Sequence, residues 1–396
     1  MEWLTQTGAV IALNLRTIPA RLSSSAVAII GIAGVVVVFV SVLSIAAGFS
    51  AAMQGSGSPS RALVMRSGAD TEMTSGLEGE DVDVIKQAPG IRRGAAGLLA
   101  SAELYVIIDL PKRSTPDAAA NVPMRGIEPA GVAVREEISI VQGRMFEFGT
   151  NEVVVGRAAS GQFVSTNVGD TIVSGQNRWQ VVGLFEADGG VAETEIWCDA
   201  RTLQGAYRRG NTYQVVLAQL DSTDSFDAFR DSLTSNPRLN VSIRRESEYY
   251  AAQSVAMSRL IQSIGFGIAA LMGIGAVFGA ILTMYTAVAT RAREIATLRA
   301  LGFSTSSVLV SVLTESLALG GIGGLLGGIT AYLAFNGFET STMNFQTFSQ
   351  VAFAFRVTPE LLATGLAYAL VMGLIGGLLP AVRAARLPIS SALREL

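Results

Sequence analysis

The sequence has no histidine, one cysteine and two lysines among its 396 residues. Histidine is the commonest general base and a frequent metal ligand, so its absence excludes zinc sites, Ser-His-Asp triads and Cys-His dyads. The single cysteine, Cys198, cannot form an intrachain disulfide, and we expect it to be a packed, small apolar residue. Charge is also scarce, since 15% of the residues are charged against about 25% in an average soluble protein. The chain is therefore not expected to be an ordinary soluble enzyme.

Neither lysine lies in a phosphate-binding loop. Such a loop places a lysine after a glycine to hold the nucleotide phosphates, whereas Lys86 follows DVI and Lys112 follows LP. The remaining candidates for metal or acid-base chemistry are two acidic pairs, Glu136 with Glu137 and Glu193 with Glu195. No other motif in the sequence supplies a further ligand or catalytic partner for these pairs, and we interpret them as solvated surface. The sequence thus predicts no catalytic residue, metal site or cofactor site in this chain.

Hydrophobic residues make up 50% of the sequence and are concentrated in four blocks. Each block exceeds the roughly 20 helical residues that cross a hydrocarbon core of about 30 Å. The first is too long for the apolar region of a signal peptide, roughly 7 to 15 residues. The second is long enough to continue above the membrane as a stalk. We predict transmembrane helices over 22–50, 254–290, 306–336 and 360–383.

Arginine positions predict the topology, because positive residues are retained on the cytoplasmic side. The short loop between the third and fourth blocks, residues 337–359, has only Arg356. Eight arginines flank the opposite ends of the helices: Arg16, Arg21, Arg291, Arg293, Arg299, Arg383, Arg386 and Arg394. Both termini are therefore predicted to be cytoplasmic, with 1–21 as an interfacial helix and 384–396 as a tail.

The segment 51–253 is then extracytoplasmic. It contains 19 Lys or Arg and 26 Asp or Glu, a net charge of -7, while the rest of the chain carries +4. The positive charge lies mainly at the cytoplasmic face, where it meets anionic lipid, so nucleic-acid binding has no support. Strand-helix-strand patterns at 61–110 and 212–247 flank a mainly β insert over 111–211. The predicted fold is four transmembrane helices with a large α+β extracytoplasmic domain between the first and second.

Polar and small residues within the blocks carry further information. Glu315 is an acid inside the third block, where a charge is costly unless paired. We favour a structural hydrogen bond near the cytoplasmic leaflet over a proton or ion-coupling role. Glycines spaced by four place small residues on one helix face, for packing within the chain or against a second subunit. They are Gly275, Gly279, Gly320, Gly324, Gly328, Gly373 and Gly377.

The connection over 291–305, beginning RAREIATLRALGFS, is amphipathic in the helical repeat. Arg291 and Glu294 form an i,i+3 pair, and Ile295, Leu298 and Leu301 supply an apolar edge. A solvated turn between two membrane helices needs no such edge. We therefore expect a docking element for another protein.

Three stretches resemble the MacB-like permeases of ABC transporters, which include the FtsX, LolC and LolE branches. The first is RAREIATLRALGFSTSSVLVSVLTESLALGGIGGLLGG, which is similar to the family's REI-x-x-LRA-x-G loop and following span. The others are PAVRAARLPISSAL near the end and NEVVVGRAAS, VGDTI and WQVVGLFE in the domain. The resemblance covers nearly the whole chain.

This resemblance implies that the 291–305 helix receives an ATPase through Arg291, Arg293, Glu294, Ile295, Leu298, Arg299 and Gly302. It implies partners as well: a separate cytoplasmic ABC ATPase that holds ATP and magnesium, and a second permease copy or paralogue forming a dimer. A periplasmic adaptor and an outer-membrane channel are further partners that the resemblance leaves open. The expected setting is the bacterial inner membrane, where the dimer would drive export or extraction of a substrate.

Two other functions stay open on the sequence. An FtsX-like regulator would use the same movement to activate extracytoplasmic cell-wall hydrolases without transporting anything. An ion-driven secondary transporter is disfavoured, because the spans contain little charge and no internal repeat. The identity of the substrate and the choice between homodimer and heterodimer do not follow from the sequence.

Overall fold

The computed structural model describes residues 7, 8, 10, 11, 22–95, 97–344 and 349–388. The chain divides into two compact units. The membrane unit comprises residues 1–47, 259–338 and 355–396, and the extracytoplasmic unit comprises residues 48–258 and 339–354.

From Leu22 onward the described residues form ten α-helices and sixteen strands, with one-turn 3-10 helices at Glu72–Thr74 and Val191–Thr194. In chain order the elements are α1 (Leu22–Gln54), β1 (Arg61–Arg66), β2 (Leu77–Glu78), α2 (Gly79–Lys86), β3 (Arg93–Gly94), β4 (Gly97–Leu98), β5 (Ala100–Pro111), β6 (Ala119–Ile127), α3 (Pro129–Val134), β7 (Ser139–Gly143), β8 (Glu152–Gly156), α4 (Arg157–Gln162), β9 (Thr171–Ser174), β10 (Asn177–Glu186), β11 (Ile196–Asp199), α5 (Ala200–Ala206), β12 (Thr212–Tyr213), β13 (Val215–Gln219), α6 (Ser225–Thr234), β14 (Val241–Arg245), α7 (Glu246–Thr290), α8 (Ala292–Ala300), α9 (Thr305–Phe335), β15 (Glu339–Asn344), β16 (Ser349–Ala354) and α10 (Pro359–Ala385).

Four of the described helices are long and apolar enough to cross a membrane, which confirms the predicted number of spans. They are α1, α7, α9 and α10, the first to fourth membrane helices. The second begins at Glu246, eight residues before the predicted start at 254, because the polar turns ESEYYAAQ continue the same helix. Its 45 residues span about 67 Å, roughly twice the thickness of a hydrocarbon core.

Side-chain caps fix where the third and fourth membrane helices begin. The Ser304 side chain accepts a hydrogen bond from the Ser307 N–H, and the Thr358 side chain accepts one from the Leu361 N–H. Pro359 occupies the first turn of α10, where its missing N–H has no helical partner to lose. The core of the membrane unit includes residues of the first, third and fourth membrane helices: Ile32, Val36, Val40, Ala331, Ala369 and Met372.

Most of the predicted interfacial helix over 1–21, including Arg16 and Arg21, lies outside the described residues, as does Arg394 in the predicted tail. Residues 7, 8, 10 and 11 are helical. The Thr7 hydroxyl lies 3.0 Å from that of Ser307, and the Ser311 hydroxyl donates to the Val10 carbonyl at 3.4 Å. This part of the chain therefore contacts the third membrane helix.

A ten-stranded sheet forms the extracytoplasmic unit, with strand order β14-β1-β13-β5-β6-β11-β8-β10-β7 and β9 paired to β10. Strands from both ends of the segment lie side by side, since β1 is antiparallel to both β13 and β14. The chain passes from β5 into the neighbouring antiparallel β6. The strands of the 111–211 insert therefore extend the same sheet.

Two hydrophobic clusters pack on this sheet. In one, α2 and α6 contribute Val82, Ile85, Phe226, Phe229 and Leu233 against β14, β1, β13 and β5, the four strands at one end of the sheet. The other contains Trp179 and the sole cysteine, Cys198, which is fully buried. The expectation that Cys198 is a packed apolar residue is confirmed.

The segment 337–359, expected to be a plain loop, contains the β-hairpin β15–β16. Its register pairs Glu339 with Ala354 and Asn344 with Ser349. Alternating Thr, Met, Val and Phe side chains favour strands. Pairing of the two strands satisfies backbone N–H and C=O groups that would have to bind water in an unpaired loop. The hairpin belongs to the extracytoplasmic unit.

Candidate functional site

A turn at each end separates α8 from the adjoining membrane helices. The backbone leaves helical geometry at Arg291, with φ -110° and ψ 9°. Gly302 has φ +95°, a left-handed conformation that other residues rarely adopt, and its N–H donates to the Arg299 carbonyl at 3.1 Å. The sequence therefore forms a separate nine-residue helix, and Gly302 is the residue that ends it.

One face of α8 is charged and exposed, and the other is apolar and buried. Arg293 and Glu294 are exposed, and Leu301, just after the helix, is 72% exposed. Leu298 is half-buried. Ile295 is buried, so its prediction as part of an exposed edge is wrong. It packs into a cluster from the second, third and fourth membrane helices that includes Met284, Val288, Val308, Val312, Ala381 and Ala384.

Glu315 in the third membrane helix has an arginine partner. Its Oε2 lies 2.9 Å from Nη1 of Arg291, and the two residues are 5% and 4% exposed. The predicted pair between Arg291 and Glu294 is also present, with 3.5 Å between Nε and Oε2. A carboxylate inside a membrane helix is tolerated when it is paired. The contact joins the turn before α8 to the third membrane helix and matches the structural hydrogen bond expected for Glu315.

Two further contacts involve the end of the fourth membrane helix. Arg299 of α8 donates a hydrogen bond to the Leu387 carbonyl, just beyond α10. The guanidinium of Arg383 lies over the ring of Tyr285 in α7, 5.3 Å from its centroid. Together with the Arg291 contact, these interactions connect α8 and its flanks to all three of the later membrane helices.

The predicted helix-packing glycines fall into two groups. Those of the third and fourth membrane helices face each other across the helix pair: Gly320, Gly324, Gly328, Gly373 and Gly377. A Cβ placed on Gly320 would lie 2.8 Å from the Ala369 carbonyl oxygen, and one on Gly373 would lie 2.8 Å from that of Ser316. Larger residues would force these backbones apart, so this group packs within the chain.

Gly275 and Gly279 of the second membrane helix behave differently. No atom of the described residues lies within 4 Å of a Cβ placed on either glycine. Their small size is therefore not needed for packing inside the described part of this chain.

A second glycine stripe, not predicted from the sequence, lies on the third membrane helix. A Cβ on Gly323 would lie 3.0 Å from the Ile29 carbonyl oxygen, and one on Gly327 would lie 2.6 Å from that of Ala33. These glycines let the first membrane helix approach the third closely. Their spacing of four was visible in GGIGGLLGG.

A buried ionic cluster, also missed, lies in the extracytoplasmic unit. Arg125 on β6 is 2% exposed and donates hydrogen bonds to Glu72, Glu103 and Glu195 at 2.7 to 3.0 Å. Arg135 donates to both carboxylate oxygens of Glu103, at 2.6 and 2.8 Å. The interpretation of Glu195 as solvated surface is therefore wrong, because Arg125, seventy positions away in the sequence, makes its burial tolerable.

A neighbouring pair anchors the start of the second membrane helix. Arg61 of β1 forms ion pairs with Glu246, the first residue of α7, and with Glu137. Glu137 is half-buried, so its interpretation as solvated surface is also wrong, whereas Glu136 is exposed beside Arg92. Within the described ranges, no group of Cys, Asp and Glu side chains is arranged to hold a metal ion. The buried arginines and carboxylates pair with one another in an ionic network.

The extracytoplasmic unit should lose stability in acid. Burial alone would raise the pKa of Glu103, but the charges and hydrogen bonds of Arg135 and Arg125 outweigh it and hold that pKa below its usual 4.5. A depressed folded-state pKa contributes stability above the unfolded value, and this contribution is lost as the pH falls through the folded value.

The measurement is urea unfolding of the full chain, followed by the fluorescence of Trp179 and Trp197 in a Trp3→Phe background. We expect the midpoint to fall below about pH 4.5 and the Glu103→Gln variant to show a weaker pH dependence. A midpoint with the same pH dependence in both proteins would refute the assignment to Glu103.

Comparison with protein-family models gives two matches, which together span most of the chain. Residues 25–236 match the MacB-like periplasmic core domain, and residues 266–389 match the FtsX-like permease C-terminal model. Four membrane helices, with this domain after the first of them, define an ABC transporter permease. The chain belongs to the MacB-like and FtsX-like permease family. It is a multi-pass membrane protein. The subunits of this family are generally non-catalytic, and membership of the family implies an ABC ATPase partner and a dimer.

Two solved structures are similar to about half of the chain. The extracellular domain of the noncanonic ABC-type transporter YknZ from Gram-positive bacteria is 14% identical, covers 47% of this chain and 100% of its own, and has a TM-score of 0.36. The periplasmic region of MacB from Actinobacillus actinomycetemcomitans is 13% identical, covers 50% and 92%, and has a TM-score of 0.37. A search of curated proteins gave no match.

Proposed function

We propose that this permease couples ATP hydrolysis by a separate ATPase to movement of its extracytoplasmic unit, and that this movement drives export or extraction of a substrate. The observation that carries the proposal is the construction of α8. It presents Arg293 and Glu294 to solvent while Ile295, on its other face, is packed among three membrane helices. A partner bound to the exposed face would therefore act directly on the membrane unit.

Polar contacts make α8 a stiff attachment point. Arg291 binds Glu315 of the third membrane helix, and Arg299 binds the Leu387 carbonyl beyond the fourth. Buried charged contacts hold a geometry more firmly than exposed ones. A displacement of α8 would therefore be transmitted to both helices rather than absorbed in a loop.

The second membrane helix offers a route outward. It is unbroken from Thr290, beside α8, to Glu246, whose carboxylate binds Arg61 of the sheet. A continuous helix of about 67 Å transmits a push or a rotation along its axis without an intervening hinge. We infer that this helix carries movement from the cytoplasmic side to the sheet.

The proposed setting is the bacterial inner membrane, with both termini in the cytoplasm and the arginine-rich ends beside anionic lipid. ATP and magnesium would bind the ATPase, and a second permease copy or paralogue would complete the dimer. Gly275 and Gly279, which pack against nothing in the described part of the chain, are available for that contact. A periplasmic adaptor and an outer-membrane channel would be further partners of an exporter.

Docking of the ATPase on α8 is tested by Glu294→Lys combined with Leu301→Asp. Both side chains are exposed, so the variant should fold normally and lose most of the ATPase that co-purifies in detergent. Glu360→Lys, an exposed charge reversal at the start of the fourth membrane helix, is the matched control and should keep the ATPase. Stoichiometric binding to the double variant would refute docking on this face.

The alternative is an FtsX-like regulator that activates extracytoplasmic cell-wall hydrolases. It is equally compatible with the two matched models and needs the same coupling through α8. A deletion strain separates the two functions: loss of efflux with normal cell walls supports export, and cell-wall defects with normal efflux support regulation.

A further inference from the structure

A cavity of about 450 Å³ lies within the extracytoplasmic unit, between the loop after β1, the edge strand β14 and the first turns of α7. Its polar lining consists of Asp70, Thr71, Thr74, Arg244, Tyr249 and Gln253. Pockets of roughly 300 to 1,000 Å³ hold small ligands in proteins. We propose that this cavity binds a short peptide by its two charged ends, with Arg244 binding the terminal carboxylate and Asp70 binding the terminal ammonium group.

Asp70 and Arg244 are the two charged residues of the lining, and the fold pairs neither of them. Within the described ranges, neither side chain forms an ion pair or a hydrogen bond, with the other or with any third residue. Arg244 is half-buried, so its guanidinium has lost part of its hydration without gaining a carboxylate. A ligand carboxylate would supply that partner, and the planar guanidinium can bind both carboxylate oxygens at once.

The uncharged polar walls of the cavity are, by contrast, already held in place by the fold. Tyr249 is 1% exposed, and its hydroxyl accepts a hydrogen bond from the Glu72 N–H at 3.2 Å. The Gln253 amide oxygen accepts one from the Asn344 amide at 3.1 Å, and both of these residues are buried. A cavity with fixed walls loses little conformational entropy when a ligand binds. The two charged side chains are what remains for a ligand to pair with.

A ligand that pairs with both side chains needs a cationic end and an anionic end. A peptide with free termini has both near pH 7, because the pKa is about 8 for an α-amino group and about 3.5 for an α-carboxyl group. A free amino acid has both charges too, but it is small for a cavity of this volume. The inference goes beyond the proposed function, since binding requires neither the ATPase nor any movement of the chain.

The first test leaves the protein unchanged and varies the ligand. Isothermal titration calorimetry of the purified full chain in detergent should show that trialanine binds. N-acetyl-trialanine lacks the ammonium group and trialanine amide lacks the carboxylate, so each should bind about tenfold more weakly or worse. No binding of trialanine, or equal affinity for the three forms, would overturn the proposal. Free alanine binding as tightly as trialanine would overturn the choice of a peptide.

The second test assigns each end of the peptide to its residue. Asp70→Asn should abolish the preference for trialanine over the N-acetyl form, and Arg244→Gln should abolish the preference over the amide. Each preference is a ratio of two affinities measured on one protein, so it does not depend on the fraction of that protein that is folded. Asp83→Asn and Arg238→Gln alter exposed side chains outside the cavity and, as matched controls, should keep both preferences. A preference that survived the loss of its assigned residue would refute that assignment.

Discussion

Gly320→Ala is expected to destabilise the membrane unit by about 1 to 3 kcal/mol, although alanine is normally the better helix former. The added methyl group would lie 2.8 Å from the Ala369 carbonyl oxygen and 3.3 Å from the Cα of Gly373. Both neighbours are backbone atoms, which cannot rotate away as a flexible side chain can. The third and fourth membrane helices would have to separate, weakening the contact between their glycine-lined faces.

The adjoining glycine supplies the control. At Gly321 the nearest described atom to a new methyl group is Leu370 Cδ2, at an ordinary contact distance of 3.7 Å. Gly321→Ala should therefore be neutral, or stabilising by up to about 1 kcal/mol through helix propensity. Unfolding of the purified variants by SDS titration measures the difference. Equal midpoints for the two variants would show that the helix pair is not as tightly packed as the structure indicates.

Removing one member of the Arg291–Glu315 pair should cost more than removing both. Arg291→Met leaves the Glu315 carboxylate without its guanidinium, and Glu315→Leu leaves a buried guanidinium without that carboxylate. Breaking a buried ion pair on one side typically costs about 3 to 5 kcal/mol, whereas replacing the whole pair by apolar residues is often neutral. The double variant should therefore recover most of the stability that either single variant loses.

A double-mutant cycle measures this coupling, again by SDS titration. The amount of ATPase that co-purifies should also be lower for the two single variants than for the double variant, because the pair positions the turn that leads into α8. Arg293→Met removes a neighbouring but exposed arginine and should leave stability unchanged. Strictly additive effects of Arg291→Met and Glu315→Leu would contradict the assignment of this contact as the link between α8 and the third membrane helix.

The features that the sequence predicts correctly are those with a local signal. The four apolar blocks predict the spans, and the REI-x-x-LRA-x-G stretch predicts a helix between the second and third of them. The second membrane helix begins earlier than predicted, because the polar stretch ESEYYAAQ does not show the apolar run from which the helix was predicted. Its first turn is held by Arg61, which lies 185 residues earlier in the chain.

The features that the sequence does not predict depend on residues that are distant in the chain. Nothing near Glu195 indicates that it binds Arg125, and nothing near Glu315 identifies Arg291 as its partner. The orientation of α8 is a related case. Its amphipathic pattern shows that one face is apolar, but only the packed structure shows that Ile295 faces the membrane helices and not a partner. The β15–β16 hairpin was not predicted, because its strands are short and the residues between them give no turn signal in the sequence.

The most direct test of coupling is a distance between the two units, measured in the assembled complex with and without ATP. Spin labels at Val173→Cys, on β9, and Leu333→Cys, near the end of α9, use exposed positions of the extracytoplasmic and membrane units. Burial, together with Asp199, raises the pKa of the Cys198 thiol, so labelling of the native cysteine is disfavoured, and Cys198→Ala removes it altogether. We predict that ATP shifts the Val173 to Leu333 distance distribution in the complex, and that it has no effect when the ATPase is absent. An unchanged distribution in a complex that hydrolyses ATP would contradict the coupling mechanism.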